Sequence, residues 1–298
     1  MQQSFNPANA DLKININGHL FHRDEAGISP FDSVVQGGDA VWEGLRVYDG
    51  RVFRLAAHLD RLAGSAAALA FTGVPSHDYI RGEIRRTLEA NAMHDNVHIR
   101  LTLTRGVKLT SGMDPRLNTQ GPTLIVLAEH KAPVYDKSGL TLVTAATRRI
   151  PPDCLDQKIH SCNLLNSILA KIEANAAGAD DAMMLDYQGF VAETNATHLF
   201  FNLDGVLVTP HTYSCPEGVT RAAVLLLCER HGIDARVANL TLADAHRARE
   251  IFCTGTMGEL APVTRLDGRP IGGERTGPLC GQLSALYHEL TRSEGEAP

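Results

Sequence analysis

Residues 40–70 read AVWEGLRVYDGRVFRLAAHLDRLAGSAAALA and combine three structural signals in one stretch. From Ala40 to Tyr48 apolar and polar residues alternate, which predicts a β-strand with one buried face. Asp49-Gly50 is a typical hairpin turn, so we expect a return strand over Arg51–Arg54. From Leu55 to Ala70 the apolar residues take the helical spacing. A hairpin followed directly by a helix predicts a domain of the α+β class.

The same patterns, followed along the chain, predict two domains. Strands predicted at Val97–Thr104 and Pro122–Glu129 complete an N-terminal α+β domain over residues 1–129. Residues 130–139 carry Pro, Asp, Ser and Gly without apolar periodicity, which indicates an interdomain linker. Residues 140–298 contain short strands with single helices between them, which predicts a mixed, barrel-like sheet rather than a strict βαβ array.

Composition excludes several classes of function. The 28 Lys+Arg against 34 Asp+Glu give a formal net charge of −6, which is unfavourable for binding nucleic acid or an anionic membrane. The longest apolar run, Ala222–Cys228, is far shorter than the roughly 20 residues of a membrane span. Met1–Asp11 lacks the apolar core of an export signal. The 6 cysteines form no CxxC pair and the 13 histidines no HExxH motif, so we expect reduced thiols, a cytoplasmic protein and no bound metal.

Three features of the second half could carry chemistry. Lys158 lies between a Pro-rich loop and a long helix, where a lysine can form a Schiff base; the alternative is a solvated surface lysine. Glu193 ends a short apolar strand and could accept a hydrogen bond from a protonated ring nitrogen, or lie at the rim of the fold. Gly218–Arg221 opens a helix, and Thr254–Gly258 offers a second turn able to bind an anion. Together they suit a cofactor with an aldehyde, a pyridine nitrogen and a phosphate.

The sequence resembles the class IV, or fold-type IV, pyridoxal 5'-phosphate enzymes over nearly its whole length. The segments that match the family, in its order, are Trp42-Glu43-Gly44-Leu45-Arg46, His58-Leu59-Asp60-Arg61-Leu62, Lys158 ahead of Asn163-Leu164-Leu165, Glu193, Gly218-Val219-Thr220-Arg221, and Gly255-Thr256 followed by Glu259-Leu260-Ala261-Pro262-Val263. The resemblance implies a small N-terminal α/β sandwich domain and a larger C-terminal mixed barrel-like domain. It also implies pyridoxal 5'-phosphate as the cofactor and a homodimer.

The resemblance assigns cofactor-binding roles to matching positions. Lys158 matches the lysine that holds the cofactor as a Schiff base and later moves the α-proton of the substrate. Glu193 matches the carboxylate that faces the pyridine nitrogen, and Arg61 matches the helix arginine that binds the phosphate. The remaining phosphate contacts match Val219, Thr220 and Thr256.

Substrate contacts are also implied by the resemblance. Arg100 matches an arginine on the carboxylate side of branched-chain aminotransferase sites, and Trp42 an aromatic wall residue. Met257 and Gly258 match the turn whose N–H groups face the substrate carboxylate, and Tyr135 lies near a position that supplies an active-site tyrosine. Core or domain-interface packing is the alternative for Trp42 and Tyr135.

The sequence departs from the family pattern at several positions, and these departures bear on which substrate the protein uses. Gly37 stands where many relatives have an aromatic residue, His198 replaces a common asparagine, and Pro216 replaces an aliphatic residue. The Lys158–Asn163 loop differs in length from that of typical relatives. The Arg-x-His pair of bacterial D-amino-acid transaminases is missing after Thr104-Arg105-Gly106.

Several functions therefore stay open at the level of the sequence. The first is transamination of an L-branched-chain or other apolar amino acid, with 2-oxoglutarate as the acceptor. The second is D-amino-acid transamination, and the third is the aminodeoxychorismate lyase reaction. A protein of this fold that has lost its activity is a fourth hypothesis, against which the complete set of cofactor-facing residue types argues.

Overall fold

The computed structural model describes residues 4–273 and 277–298. The chain forms two compact units. Of the described residues, the first unit contains 4–132, the segment Ile159–Asn163 and the C-terminal Thr291–Pro298, whereas the second contains Pro133–Lys158 and the described part of Leu164–Leu290. We call Ile159–Asn163 the return segment, because it interrupts the second unit and belongs to the first.

The described residues form both helices and strands. The helices are α1 Ser33–Gly37, α2 Leu55–Ala68, α3 His77–Ala90, α4 Leu165–Ala176, α5 Val219–Arg230, α6 Leu242–Arg247 and α7 Pro278–Ser293. The strands are β1 Lys13–Ile16, β2 His19–His22, β3 Ala40–Tyr48, β4 Arg51–Phe53, β5 Val97–Thr104, β6 Thr123–His130, β7 Leu140–Thr144, β8 Asp181–Leu185, β9 Val191–Thr194, β10 His198–Leu203, β11 Val206–Thr209, β12 Ala235–Val237, β13 Glu250–Gly255, β14 Glu259–Leu266, β15 Arg269–Pro270 and β16 Gly295–Glu296.

The first unit is a two-layer α/β sandwich. Its seven-stranded sheet has the order β16-β4-β3-β5-β6-β1-β2, and neighbouring strands run antiparallel. Helix α2 packs against β3, and α3 packs against β1 and β6. The strand alternation points Leu45 and Ile99 into a core that also contains Leu59 of α2 and Ile84 of α3.

The second unit is built on a mixed sheet in the order β12-β11-β10-β13-β14-β7-β8-β9, with β15 paired to β14. The pairs β11/β12, β14/β7 and β7/β8 are parallel, and the others are antiparallel. The last strand of this path, β9, leads through a tight turn into β10, in which the Thr194 N–H donates to the Thr197 carbonyl at 2.8 Å. The turn brings β9 back to β10 and curls the sheet into a half-barrel.

The observed architecture confirms the predicted fold class. The long helix predicted after Lys158 forms as α4, which begins at Leu165 because the residues before Leu164 belong to the return segment. Thr241 and Asp244 form a capping box at the start of α6. No helix within the described residues has the length and apolar character needed to cross a membrane.

Candidate active site

Lys158 lies in a turn at the end of the Pro-rich loop of the second unit. Its side chain is 49% exposed, and Nζ lies 3.5 Å from Oε1 of the more exposed Glu217. Its backbone N–H donates to Oδ1 of Asp156 at 2.9 Å, which fixes the turn. The ion pair with Glu217 is exposed and contributes little stability, so the Lys158 amine is available for chemistry.

The buried guanidinium of Arg149 organises the surroundings of Lys158. Arg149 Nη2 lies 3.0 Å from Oε1 of Glu193 and donates to Oε1 of Gln157, the residue before Lys158, at 3.1 Å. Its Nε donates to the Ser214 carbonyl at 3.0 Å and its Nη1 to Ser167 Oγ at 3.1 Å. One rigid cation thus connects the carboxylate of β9 to the loop that carries Lys158.

Several charged side chains act on the buried thiol of Cys215. Burial raises the pKa of the Cys215 thiol well above its ordinary value, and the charge of Glu193 raises it further. The positive charges of Arg149, Arg221 and Lys158 act on this pKa in the opposite direction. These charges come from four segments of the second unit, so Lys158 and Glu193 act on one common region.

The ligand atoms of Glu193, His198 and Cys215 all lie within 4.8 Å of one another, and all three residues are buried. His198 Nδ1 is 3.9 Å from Glu193 Oε2. The cationic Arg149 against the same carboxylate and the raised pKa of the Cys215 thiol both oppose a divalent metal. The trio is therefore a poor site for a divalent metal ion.

The start of α5 offers backbone donors. Gly218 is its N-cap residue and supplies no side-chain hydrogen bond to the first turn, which contains Val219 and the buried Thr220. A Cβ at Gly218 would lie 2.3 Å from Cδ2 of His198, so only glycine fits beside this ring. An uncapped first turn with a nearby hydroxyl is a suitable phosphate site.

The turn between β13 and β14 contains Thr256, Met257 and Gly258. The Met257 carbonyl accepts a hydrogen bond from Val134 N–H at 3.0 Å. A Cβ at Gly258 would lie 2.0 Å from Cδ2 of Tyr135, so the Tyr135 ring packs directly on the glycine. This turn is therefore fixed by two residues that precede the first strand of the second unit.

Tyr135 and Thr254 contribute polar atoms close to this turn. The Tyr135 hydroxyl donates to Asp181 Oδ2, and burial together with the Asp181 charge raises the pKa of the phenol well above its ordinary value. Thr254 pairs with His198 across the β10/β13 ladder. Its Oγ1 is buried and has no hydrogen-bond partner among the described residues. An orphaned hydroxyl opposite His198 fits a site made for a polar ligand.

In the first unit, the carboxylate of Glu43 is fully buried and binds several side chains. Arg61 donates to it from Nε at 2.8 Å and from Nη2 at 2.6 Å. His58 Nδ1 lies 2.7 Å from Oε2, and His160 Nδ1 of the return segment lies 3.4 Å from Oε1. Arg61 is thereby held by an ionic contact on the core side of β3.

On the opposite face of β3, Trp42 lies between a cation and an imidazole. Arg100 Cζ is 3.4 Å from the Trp42 ring centroid, and the His160 ring stacks at 4.3 Å. Arg100 Nη2 also lies 3.9 Å from Cys162 Sγ. Gly44, which pairs with Arg100 across the β3/β5 ladder, has no side chain to separate Arg100 from Trp42.

The sequence-predicted site residues thus fall into two groups. The second unit contains Lys158, Glu193, Val219, Thr220, Thr256, Tyr135, Met257 and Gly258; the first contains Arg61, Arg100 and Trp42. Sequence reasoning missed Arg149, Glu43 and His160. Glu43 had a visible signal, because it is a carboxylate at an inward position of an alternating strand, whereas Arg149 and His160 had none.

Comparisons with known proteins identify the family of this chain. The sequence model of the amino-transferase class IV family matches residues 40–266. The Arabidopsis thaliana branched-chain-amino-acid aminotransferase-like protein 2 is 53% identical over 290 residues, which cover 97% of this chain and 52% of that protein. The chain thus spans about half the length of this relative. A Listeria monocytogenes D-alanine aminotransferase is 31% identical, over 96% of this chain and 98% of its own.

A solved structure shows the same fold. The branched-chain amino acid aminotransferase from T.th., complexed with N-(5'-phosphopyridoxyl)-L-glutamate, has a TM-score of 0.88 and 31% identity, with 95% of each chain covered. The fold and these matches define the class to which the protein belongs. The chain belongs to the amino-transferase class IV family and is similar to its branched-chain aminotransferases.

Proposed function

We propose that this protein catalyses pyridoxal 5'-phosphate-dependent transamination of an L-amino acid with a branched or other apolar side chain, with 2-oxoglutarate as the acceptor. The observation that carries the proposal is the buried Glu193 carboxylate, held by Arg149 at 3.0 Å in the unit that contains Lys158. A carboxylate fixed in this way can keep a pyridine nitrogen protonated, which this chemistry requires.

The residues present fit the cofactor. The uncapped start of α5 and the Thr256 turn offer backbone N–H and hydroxyl donors to a phosphate. Gly218 leaves room beside His198 that a Cβ would fill, and the Thr254 hydroxyl has no partner among the described residues. The donors at the start of α5 and in the Thr256 turn thus match the phosphate of the cofactor, and the Glu193 carboxylate matches its protonated ring nitrogen.

When bound, pyridoxal 5'-phosphate supplies an aldehyde that condenses with amines and a ring that delocalises negative charge. Lys158 would bind the aldehyde carbon through Nζ at rest and carry the α-proton of the substrate during turnover. Glu193 would hold the proton of the ring nitrogen. Val219, Thr220, Thr256 and Arg61 would bind the phosphate.

The residues proposed to contact the substrate are Arg100, Trp42, Tyr135, Met257 and Gly258. Arg100 keeps a positive charge against Trp42, which suits a substrate that has both a carboxylate and an apolar side chain. Met257 and Gly258 would face the substrate carboxylate, in the turn that Tyr135 fixes from behind. The similarity to branched-chain aminotransferases supports an apolar side chain.

The test is a coupled assay on purified protein loaded with pyridoxal 5'-phosphate. L-Leucine plus 2-oxoglutarate should yield glutamate, and Lys158→Ala should abolish this product. Lys13→Ala, which removes an exposed lysine of β1, is the matched control and should retain full activity. Loaded protein that forms no glutamate from leucine or isoleucine would contradict the proposal.

D-Amino-acid transamination is the second candidate, because a D-alanine aminotransferase matches nearly the whole chain. The missing Arg-x-His pair argues against it. The same assay with D-alanine in place of L-leucine decides between the two candidates, since the products are chemically distinct. Pyruvate released from D-alanine only when 2-oxoglutarate is present would favour this second function.

We also propose that the protein is a homodimer. Leu165, Ile168, Leu169 and Ile172 recur at helical spacing on one face of α4 and are 68%, 51%, 54% and 57% exposed. An apolar stripe of this kind supports association of a second copy of the chain. Light scattering after size-exclusion chromatography should give twice the monomer mass, and Ile168→Glu should shift it towards the monomer. A monomeric wild-type protein would contradict the proposal.

A further inference from the structure

Lys137 binds three consecutive residues where β14 begins. Its Nζ donates to the Gly258 carbonyl at 2.8 Å and to the Leu260 carbonyl at 2.9 Å. It also donates to Oε2 of the buried Glu259 at 3.4 Å. An ammonium group has three donors, and all three are used on this short stretch. Lys137 therefore restrains the backbone that follows the turn between β13 and β14.

The backbone conformation of Glu259 depends on such a restraint. Its φ is +56°, in the left-handed region that residues with a Cβ rarely adopt. The carbonyls on either side of it, those of Gly258 and Leu260, are both bound by the same ammonium. An unfavourable conformation persists where the surrounding structure determines it, and such residues are concentrated at functional sites. Lys137 thus stabilises an unusual backbone conformation directly after the turn.

The two peptide planes that flank Gly258 are held from the same side. The paired residues of the β13/β14 ladder lie before and after the turn, so the ladder does not hold Gly258, and glycine is the most freely rotating residue. The peptide before it is held through the Met257 carbonyl, which accepts from the Val134 N–H at 3.0 Å. The peptide after it is held by Lys137. Because C=O and N–H of a trans peptide point in opposite directions, the bond from Val134 also fixes the direction of the Gly258 N–H.

We propose that Lys137 is a positioning residue for substrate recognition. Acting with the Val134 N–H, it holds the turn in the conformation in which the N–H groups of Met257 and Gly258 bind the substrate carboxylate. This inference rests on the proposed function, because it takes that turn as the carboxylate site. It gives the segment predicted as a linker, residues 130–139, a role in selecting substrates that have a carboxylate.

The test uses two variants with matched controls. Lys137→Met removes the ammonium from a side chain that is 46% exposed, so the protein should still fold, and Lys137→Arg keeps the charge and N–H donors. Val134→Pro removes one N–H without changing the charge, and Val134→Ala is its control. Circular dichroism verifies that each variant is folded. Each protein, loaded with pyridoxal 5'-phosphate, is titrated calorimetrically with 4-methylvalerate and with its neutral amide, 4-methylpentanamide.

The expected result is a loss specific to the carboxylate. Lys137→Met and Val134→Pro should bind 4-methylvalerate about tenfold more weakly than the wild type, since a hydrogen bond to a charged group loses its alignment. Lys137→Arg and Val134→Ala should stay within about threefold of the wild type. The affinity for the amide should change by less than about threefold in every variant.

Three outcomes would contradict these expectations. Unchanged binding of 4-methylvalerate by Lys137→Met, or equal losses for the acid and the amide, would overturn the positioning role alone. A loss in Lys137→Met that Val134→Pro does not share would also overturn it, because the charge of the lysine and not the backbone of the turn would then act on the carboxylate. A wild-type protein that binds neither compound would contradict the proposed function itself.

Discussion

Arg61 donates two hydrogen bonds to the buried carboxylate of Glu43, from Nε to Oε1 at 2.8 Å and from Nη2 to Oε2 at 2.6 Å. Burial alone would raise the pKa of Glu43, but hydrogen bonds from Arg61, His160 and His58 outweigh it and hold the pKa well below its ordinary value. The guanidinium is thus fixed by an ionised acceptor in the protein itself.

Glu43→Gln should destabilise the protein by about 3–5 kcal/mol at neutral pH, because it leaves the Arg61 cation without its buried partner. Urea unfolding monitored by circular dichroism gives the free energy of unfolding. Asp60→Asn is the matched control on α2, since that carboxylate is 74% exposed and its loss should change stability by about 0.5 kcal/mol or less. An equal effect of both substitutions would contradict the structural role of Glu43.

The same pair predicts how stability depends on acid. The folded-state pKa of Glu43 lies below its unfolded value of about 4.3. Its contribution to the free energy of unfolding is therefore present above about pH 4.3 and is lost as pH falls through the folded-state pKa. Glu43→Gln should flatten the acid side of the stability curve, and an unchanged slope would exclude Glu43 as its source.

His98 should make the free energy of unfolding depend on pH in a second range, above that of Glu43. Burial, with the charges of Lys131, Arg46 and Arg100, lowers the pKa of His98 to about 3. The unfolded chain therefore binds a proton below about pH 6.5 that the folded chain does not, and stability falls as pH decreases, by at most about 1.4 kcal/mol per unit.

His98→Phe should remove this dependence between about pH 6 and pH 4. It should not destabilise the protein at pH 7, because both ring nitrogens of His98 are buried without a hydrogen-bond partner among the described residues. The exposed His19, replaced by Phe, is the control. A His98→Phe stability curve parallel to that of the wild type would refute the prediction.

Gly258→Ala should destabilise the second unit by about 1–3 kcal/mol, because the new Cβ would lie 2.0 Å from Tyr135 Cδ2. Gly281→Ala in α7 is the control, since its Cβ meets no atom within 4 Å and the change should stabilise by about 0.5–1 kcal/mol. In the double variant Gly258→Ala/Tyr135→Ala the clash is absent. If the stability losses of the two single variants simply add in the double variant, as measured by thermal unfolding, the residue at position 258 and Tyr135 do not clash, which would contradict the prediction.

Arg149→Lys should weaken cofactor binding although it keeps the charge, because an ammonium cannot reproduce the planar contacts to Glu193, Gln157 and Ser214 together. Equilibrium dialysis with pyridoxal 5'-phosphate measures the effect, which we expect to be about tenfold or more. Arg148→Lys alters the neighbouring, exposed arginine and should bind like the wild type. Equal affinities of the two variants would rule out a special role of Arg149.

Local patterns in the sequence predict most of the fold. The alternation over Ala40–Tyr48 and the helical spacing after Leu55 give the bounds of β3 and α2 almost to the residue, because each pattern reports one buried face. The return segment is not predictable in this way. Its attachment to β3 consists of backbone hydrogen bonds between residues far apart in sequence, and these leave no periodicity.

The candidate site shows the same limit. Lys158, Glu193 and the start of α5 can be proposed from residue type and local position. Arg149 cannot, because an arginine shortly before two prolines has no local mark of burial, and its role depends on acceptors brought to it by the fold. The orientation of Arg61 likewise depends on Glu43.

The most direct test of the account is to locate the lysine that binds the cofactor. Protein loaded with pyridoxal 5'-phosphate is reduced with borohydride, digested and analysed by mass spectrometry. We predict that the reduced phosphopyridoxyl group is found on the peptide containing Lys158, and that Lys158→Ala carries no such label. A label on another lysine with Lys158 unmodified, or a wild-type protein without any label, would contradict the central claim.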